Sequence, residues 1–282
     1  MSGALQRRYL AVGHVVIDAL ENGERRPGGT VLYAAVQAAR LGLSATIVTR
    51  GVPAEIERAL EPWAAELELI VQPSDETTTL GTSGRGTERR QRVLAWAGPV
   101  ELGSLPRAEI LHLAPVAAEL AGPAPGDWPF VGLTPQGLAR GWERPGAAIE
   151  ARAAPAEILT AAGRCDAIVL SEQERASCAE LIQQGLRGGA SVAVTAGPGD
   201  TELMLRDGTR RLLPIASEPN PVDDLGAGDV YAAAFFVALA AGATPQIAAE
   251  LAHAAAALRL RGVGPAAIAS EAEIAALRAP AS

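Results

Sequence analysis

The sequence contains no lysine; all 24 of its basic residues are arginine. Chemistry that needs a primary side-chain amine is therefore excluded, including Schiff-base catalysis and the lysine-dependent phosphate loop of P-loop NTPases. Cysteine is scarce. Cys165 and Cys178 lack C-x-x-C spacing, and the three histidines, His14, His112 and His253, are scattered, so local spacing assembles no structural zinc site. No apolar run reaches the ~18 residues a membrane span needs. The polar start, Met1 to Arg8, lacks signal-peptide architecture, and a reduced, cytoplasmic setting without a membrane partner is expected. With 32 acidic residues the net charge is −8, which gives no electrostatic reason to bind nucleic acid.

What the chain does have is apolar residues, 49% of 282, enough for a core of ordinary size. Their distribution predicts a single α/β domain over 1–282. Tyr9 to Ile17 reads as a first strand ending at Asp18, followed by a polar loop to Pro27-Gly28-Gly29. Thr30 to Leu41, free of glycine and proline and closed by Gly42, predicts a helix. Short apolar runs recur at Ala45 to Thr49, Ile110 to Leu113, Phe130 to Leu133, Ala167 to Leu170 and Val192 to Thr195. Runs of this kind, separated by helical or loop segments, predict a doubly wound, mostly parallel sheet flanked by helices. Residues 20–27 and 77–97 break the alternation and predict a small β flap or lid. Two copies of the chain could pair through that flap. Three helices are expected to close the chain, Ala227 to Ala241, Pro245 to Leu260 and Glu271 to Arg278.

The run that carries chemistry is Val222-Asp223-Asp224-Leu225-Gly226-Ala227-Gly228-Asp229, followed at once by the apolar helix. Glycines at 226 and 228 permit a tight turn and close approach to a ligand. The amides of Gly226, Ala227 and Gly228 can then converge on one anion, reinforced by the positive end of the helix. Asp229, in the first helical turn, is placed to take a proton from an attacking hydroxyl while those amides stabilise a migrating phosphoryl group. A dinucleotide fingerprint is disfavoured, because Tyr231 stands where its third glycine would be.

This run resembles the D-T-x-G-A-G-D signature of the ribokinase-like (PfkB) carbohydrate kinases, with Asp224 in place of the threonine. A second resemblance is the pair Gly28-Gly29 followed by Ala39-Arg40-Leu41-Gly42, in the expected order some two hundred residues earlier. The resemblance implies an ATP-dependent, Mg²⁺-assisted kinase acting on a sugar, polyol or cyclitol. It assigns Asp229 as general base, Gly226 to Gly228 as anion hole, and Asp18, Gly28 and Gly29 as substrate contacts. Asp18 suits a polyol because a carboxylate accepts from vicinal hydroxyls at once. Glu174, in Ser171-Glu172-Gln173-Glu174, is similar to the acid that organises Mg²⁺ through water. Thr195 and Gly197 resemble a turn that touches ATP, and His253 falls in the region bordering adenine. Gln136 in Thr134-Pro135-Gln136-Gly137 and the short length are similar to a compact subgroup that includes bacterial inositol kinases. Gln136 is a candidate acceptor contact, and Arg92 on the flap a candidate phosphate contact. Tyr33, Ser171 and Asp224 depart from the family pattern. They motivate a second reading, a non-catalytic sensor of the same fold, and because the acceptor contacts sit on loops a nucleoside kinase stays open as well.

Overall fold

The computed structural model describes residues 7–215 and 220–278. The chain runs through β1 (Arg8–Val12), β2 (Val16–Leu20), β3 (Arg25–Gly28), α1 (Thr30–Arg40), β4 (Ser44–Gly51), α2 (Pro53–Leu60) and β5 (Leu67–Pro73). It continues through β6 (Thr79–Ser83), β7 (Arg90–Ala95), β8 (Ile110–Leu113), β9 (Val131–Leu133), β10 (Arg140–Gly141) and β11 (Glu150–Ala151). Next come α3 (Ala156–Ala162), β12 (Ala167–Ser171), α4 (Ala179–Gly188), β13 (Ser191–Ala196), β14 (Gly199–Met204) and β15 (Arg210–Leu213). Helices α5 (Ala227–Ala240), α6 (Pro245–Arg259) and α7 (Glu271–Arg278) finish it.

The main sheet has nine strands in the order β15-β14-β13-β12-β9-β8-β1-β4-β5, parallel from β13 to β5 and antiparallel at β14 and β15. Helices cover both of its faces. Alternation along β1 shows the consequence: Tyr9 and Ala11 join the core under α1, α5 and α6, while Leu10 and Val12 join the core under α3 and α4. Strand order reverses between β1 and β8, so loops from the carboxyl ends of the strands diverge there and leave a crevice. Among the described residues no helix is long and apolar enough to cross a membrane.

The first predicted strand is in fact two strands in different sheets. Glu119, fully buried, accepts from the His14 amide at 2.8 Å, and Thr49 Oγ1 accepts from the Val15 amide at 2.8 Å. These bonds satisfy the backbone where the chain leaves the main sheet, which lets β2 start a second one. That second sheet has the order β3-β2-β6-β7, with β2 parallel to β6 and the flanking pairs antiparallel. It contains the predicted flap segments. Strands β5, β14 and β15 are additions to the sequence reading. Each lies at or beside a sheet edge with polar and apolar residues mixed, and so lacks the continuous apolar run of a doubly covered strand.

Candidate active site

A cavity of about 1080 Å³ opens at the carboxyl end of the main sheet and is roofed by the small one. Residues following four parallel strands line it: Val116 after β8, Gln136 after β9, Ser171 at the end of β12 and Thr195 near the end of β13. The glycine turn before α5 supplies one wall and Asp18 on β2 the opposite part of the roof.

The turn is shaped by its neighbours. Gly226 has φ +79°, and a Cβ there would meet the Tyr33 ring at 2.2 Å, so both conformation and space require glycine. Asp223, buried, fixes the turn from below: its Oδ1 accepts from the Leu225 amide at 3.0 Å, and its Oδ2 accepts from the Gly264 amide at 3.0 Å and from Arg259 and Arg26 at 3.1 Å each. Arg259 is itself 0% exposed. Its guanidinium lies 5.3 Å from the centroid of the Tyr33 ring and donates to the carbonyls of Asp223, Leu225 and Gly262. The first amides of a helix have no carbonyl one turn earlier within it to donate to. Among the described residues the Gly226 and Gly228 amides have no partner, and the Ala227 amide makes only a long 3.5 Å contact with the Asp224 carbonyl. Unengaged amides at the head of a helix facing a cavity form an anion cradle.

Asp229 follows on the same turn and lines the cavity. Burial pushes its carboxyl up to about 6, and the nearby Glu174 adds to the shift, whereas a hydrogen bond from the Thr30 hydroxyl and the charges of Arg140 and Arg89 oppose it. A carboxylate with this affinity is still ionised at neutral pH yet binds a proton far better than an exposed aspartate, which suits a general base. Asp18 is 4% exposed and also raised by burial; its Oδ1 accepts from Thr82 Oγ1 at 3.0 Å. The second oxygen lies beside Gly28, where a Cβ would meet it at 2.2 Å.

Asp18, Gly29, Gln136, Glu174, Thr195, Gly197, Gly226, Ala227, Gly228, Asp229 and His253, named from the sequence, all border this one cavity. Gly28 does not: it sits behind Asp18 and makes room for its carboxylate, a supporting place in the wall. Arg92 is likewise outside it: its side chain is exposed and does not line the cavity. Arg89 and Arg90 reach the cavity in its stead. Glu174 combines two roles, since its Oε2 accepts from the Ser171 amide at 2.8 Å in a capping box while its charge reaches Asp229. Among the described residues no group of three histidine, cysteine or acidic side chains is arranged to cage a metal ion.

Sequence reasoning passed over Thr30, Arg89, Arg140 and Arg259. Thr30 directly follows the Gly28-Gly29 pair and could have been found from that spacing. Arg140 lies four residues after Gln136, half-buried, with its Nη1 donating to the Val116 carbonyl at 3.1 Å. No short motif marks Arg89 or Arg259; each becomes visible only when a distant segment is folded against the turn.

At the far end of the cavity the walls turn apolar, with Ile215, Ala256, Ala257 and Leu260 beside Tyr231 and His253. His253 Nε2 pairs with Thr201 Oγ1 at 2.9 Å, and burial lowers its imidazole to about 4, so it is neutral at physiological pH. A neutral, small-residue slot continuous with an anion cradle fits a phosphorylated molecule with a flat heterocycle.

Known proteins match this chain in part of its sequence and in its fold. Residues 153–272 match the family model described as pfkB family carbohydrate kinase. No curated protein matches the sequence. Among solved structures, a pyrophosphate-dependent myo-inositol-1 kinase converted into a myo-inositol-3 kinase superposes with a TM-score of 0.76 at 19% identity, covering 96% of this chain and 99% of that one. The fructokinase of Vibrio cholerae O395, bound to fructose, ADP and calcium, gives 0.73 at 20% identity over 96% and 98%. The nucleoside kinase of Methanocaldococcus jannaschii, an archaeal member of the ribokinase family, gives 0.72 at 17% over 97% and 98%. Residues 153–272 thus resemble the pfkB family carbohydrate kinases, and the chain as a whole has the ribokinase-like fold of these solved structures.

Proposed function

We propose that this protein transfers the terminal phosphoryl group of ATP to a hydroxyl of a sugar, polyol or cyclitol. The observation that carries the proposal is the convergence, in one cavity, of unengaged amides at Gly226–Gly228, a proton-accepting carboxylate at Asp229 and a second carboxylate at Asp18.

In this reading Asp18 and Gln136 hold the acceptor, and Asp18 fixes its orientation by accepting from two hydroxyls. Asp229 takes the proton from the attacking hydroxyl as the O–P bond forms. The phosphoryl group passes over the Gly226–Gly228 amides, which neutralise charge as the bond to ADP breaks. Thr30, by donating to Asp229, aims the carboxylate. Thr195, Gly197 and the apolar slot near His253 receive the nucleotide. The residues fit a Mg²⁺ ion held mainly by donor phosphates and water, with Glu174 as the nearby acid, because a phosphate-bound Mg²⁺ needs only one or two protein carboxylates. Bound there, the ion would offset negative charge on the phosphates.

The apolar slot favours ATP over pyrophosphate, since pyrophosphate has no surface to bury in it. A panel assay decides both questions: ATP or pyrophosphate as donor, against myo-inositol, fructose, ribose and adenosine as acceptors, with phosphorylated product followed by mass spectrometry. Phosphorylation of a polyol, sugar or cyclitol from ATP supports the reading; transfer from pyrophosphate alone overturns the donor assignment, and no transfer under any pairing overturns the kinase.

A further inference from the structure

Asp223 and Asp224 are adjacent yet face opposite ways. Asp223 ties the glycine turn down to the core, as described above. Asp224 spends both oxygens on the small sheet: Oδ2 accepts from the Gly86 amide at 2.8 Å and Oδ1 from the Arg89 guanidinium at 2.5 Å. Both donors belong to the β6–β7 connection, more than a hundred residues earlier in the chain.

That connection has little else to hold it. Residues 84–88 are exposed, and Gly84 and Gly86 adopt φ of +68° and +53°. Among the described residues, the other hydrogen bonds of 84–89 are local, from the Glu88 amide to the Arg85 carbonyl, from the Arg89 amide to the Gly86 carbonyl and from Arg90 to the Thr87 and Arg89 carbonyls. The pair on Asp224 is therefore the tie between the tip of the small sheet and the anion cradle. It also fixes where Arg89 points. The guanidinium lines the cavity, its charge reaches both Asp18 and Asp229, and its Nε is buried with no partner among the described residues. A guanidinium pinned at one edge by a carboxylate keeps other N–H donors free for a planar array of oxygens.

We infer that Asp224 is a positioning residue for the transfer proposed above: it clamps the β6–β7 tip onto the glycine turn and so sets Arg89 between the acceptor carboxylate Asp18 and the base Asp229, where the migrating phosphoryl group passes. The inference rests on the kinase reading for its consequence but not for the clamp itself. Arg89 then meets the equatorial phosphoryl oxygens only while the tip is down, which ties charge stabilisation to closure of the roof.

The test uses the full chain and two measurements. Amide exchange across 84–89 in the ligand-free protein is expected to accelerate at least ~10-fold in Asp224→Asn, with exchange in α5 unchanged. With ATP and the acceptor found by the panel, Asp224→Asn and Arg89→Lys should each lower kcat by ~10-fold while moving either KM by less than about twofold, and the double variant should be no slower than the worse single one. Unchanged exchange in Asp224→Asn overturns the clamp. Losses that multiply in the double variant, or that fall on KM alone, overturn the positioning role. A wild-type protein that transfers no phosphoryl group overturns the kinase reading instead, and the exchange result still decides the clamp.

Discussion

In the kinase reading proposed above, the groups that would meet a phosphate at the donor end of the cavity are backbone amides of one short run, Gly226–Gly228, with the proposed base Asp229 next in sequence. At the acceptor end they are side chains from separate elements, Asp18 on β2, Gln136 after β9 and Arg140 on β10. A backbone site needs glycines, a helix and an anchor beneath the turn, and it can carry the same chemistry whatever the acceptor. A side-chain site depends on how distant strands are brought together, so it is where one substrate is told from another. The family match follows the same division: residues 153–272 include Gly226–Gly228, Asp229, Glu174 and His253, whereas Asp18 and Gln136 lie outside it.

The comparison can be broken at its anchor first. Arg259→Leu would take from buried Asp223 the more deeply buried of its two arginine partners and deprive three carbonyls of this donor, at a cost of ~3–5 kcal/mol in folding stability. Denaturant unfolding measures this, and a loss below ~1 kcal/mol would mean that the turn stands without its buried arginine. Next in size, Asp229→Asn should lower turnover by at least ~10² while ATP binding, read by calorimetry, stays near wild type, because the amides remain and only the base is gone. Asp18→Asn should act at the other end, raising acceptor KM ~10-fold through loss of a charge-assisted hydrogen bond and leaving donor KM unchanged. If donor and acceptor KM rise together in that variant, the two ends are not separable.

The same division explains what the sequence made legible. The parallel strands β4, β8, β9, β12 and β13 announce themselves as apolar runs because both of their faces are covered, and α1, α5, α6 and α7 through their glycine and proline boundaries. The glycine turn and Asp229 are readable as one candidate site because turn, amides and carboxylate are contiguous. Strands β5, β14 and β15, at or beside the sheet edges, carry no such signal, since polar and apolar residues mix along them. The split of Tyr9–Ile17 into two sheets depends on Glu119, a hundred residues away, and that Arg89 rather than Arg92 lines the cavity is visible only in the folded chain. Asp224 illustrates the limit most directly. In the sequence it is a departure from a signature; folded, it is an acceptor for a loop it could not be paired with by spacing.

The pH dependence of phosphoryl transfer tests the central claim most directly. Asp229 must be ionised to accept a proton, and burial holds its carboxyl near 6, so kcat/KM should fall tenfold per pH unit below about pH 6 and level off above it. The fall on the acid side should be missing from the residual activity of Asp229→Asn. A wild-type profile that stays flat from pH 7 down to about pH 4, or one whose acid limb survives in that variant, would contradict a base at this carboxylate.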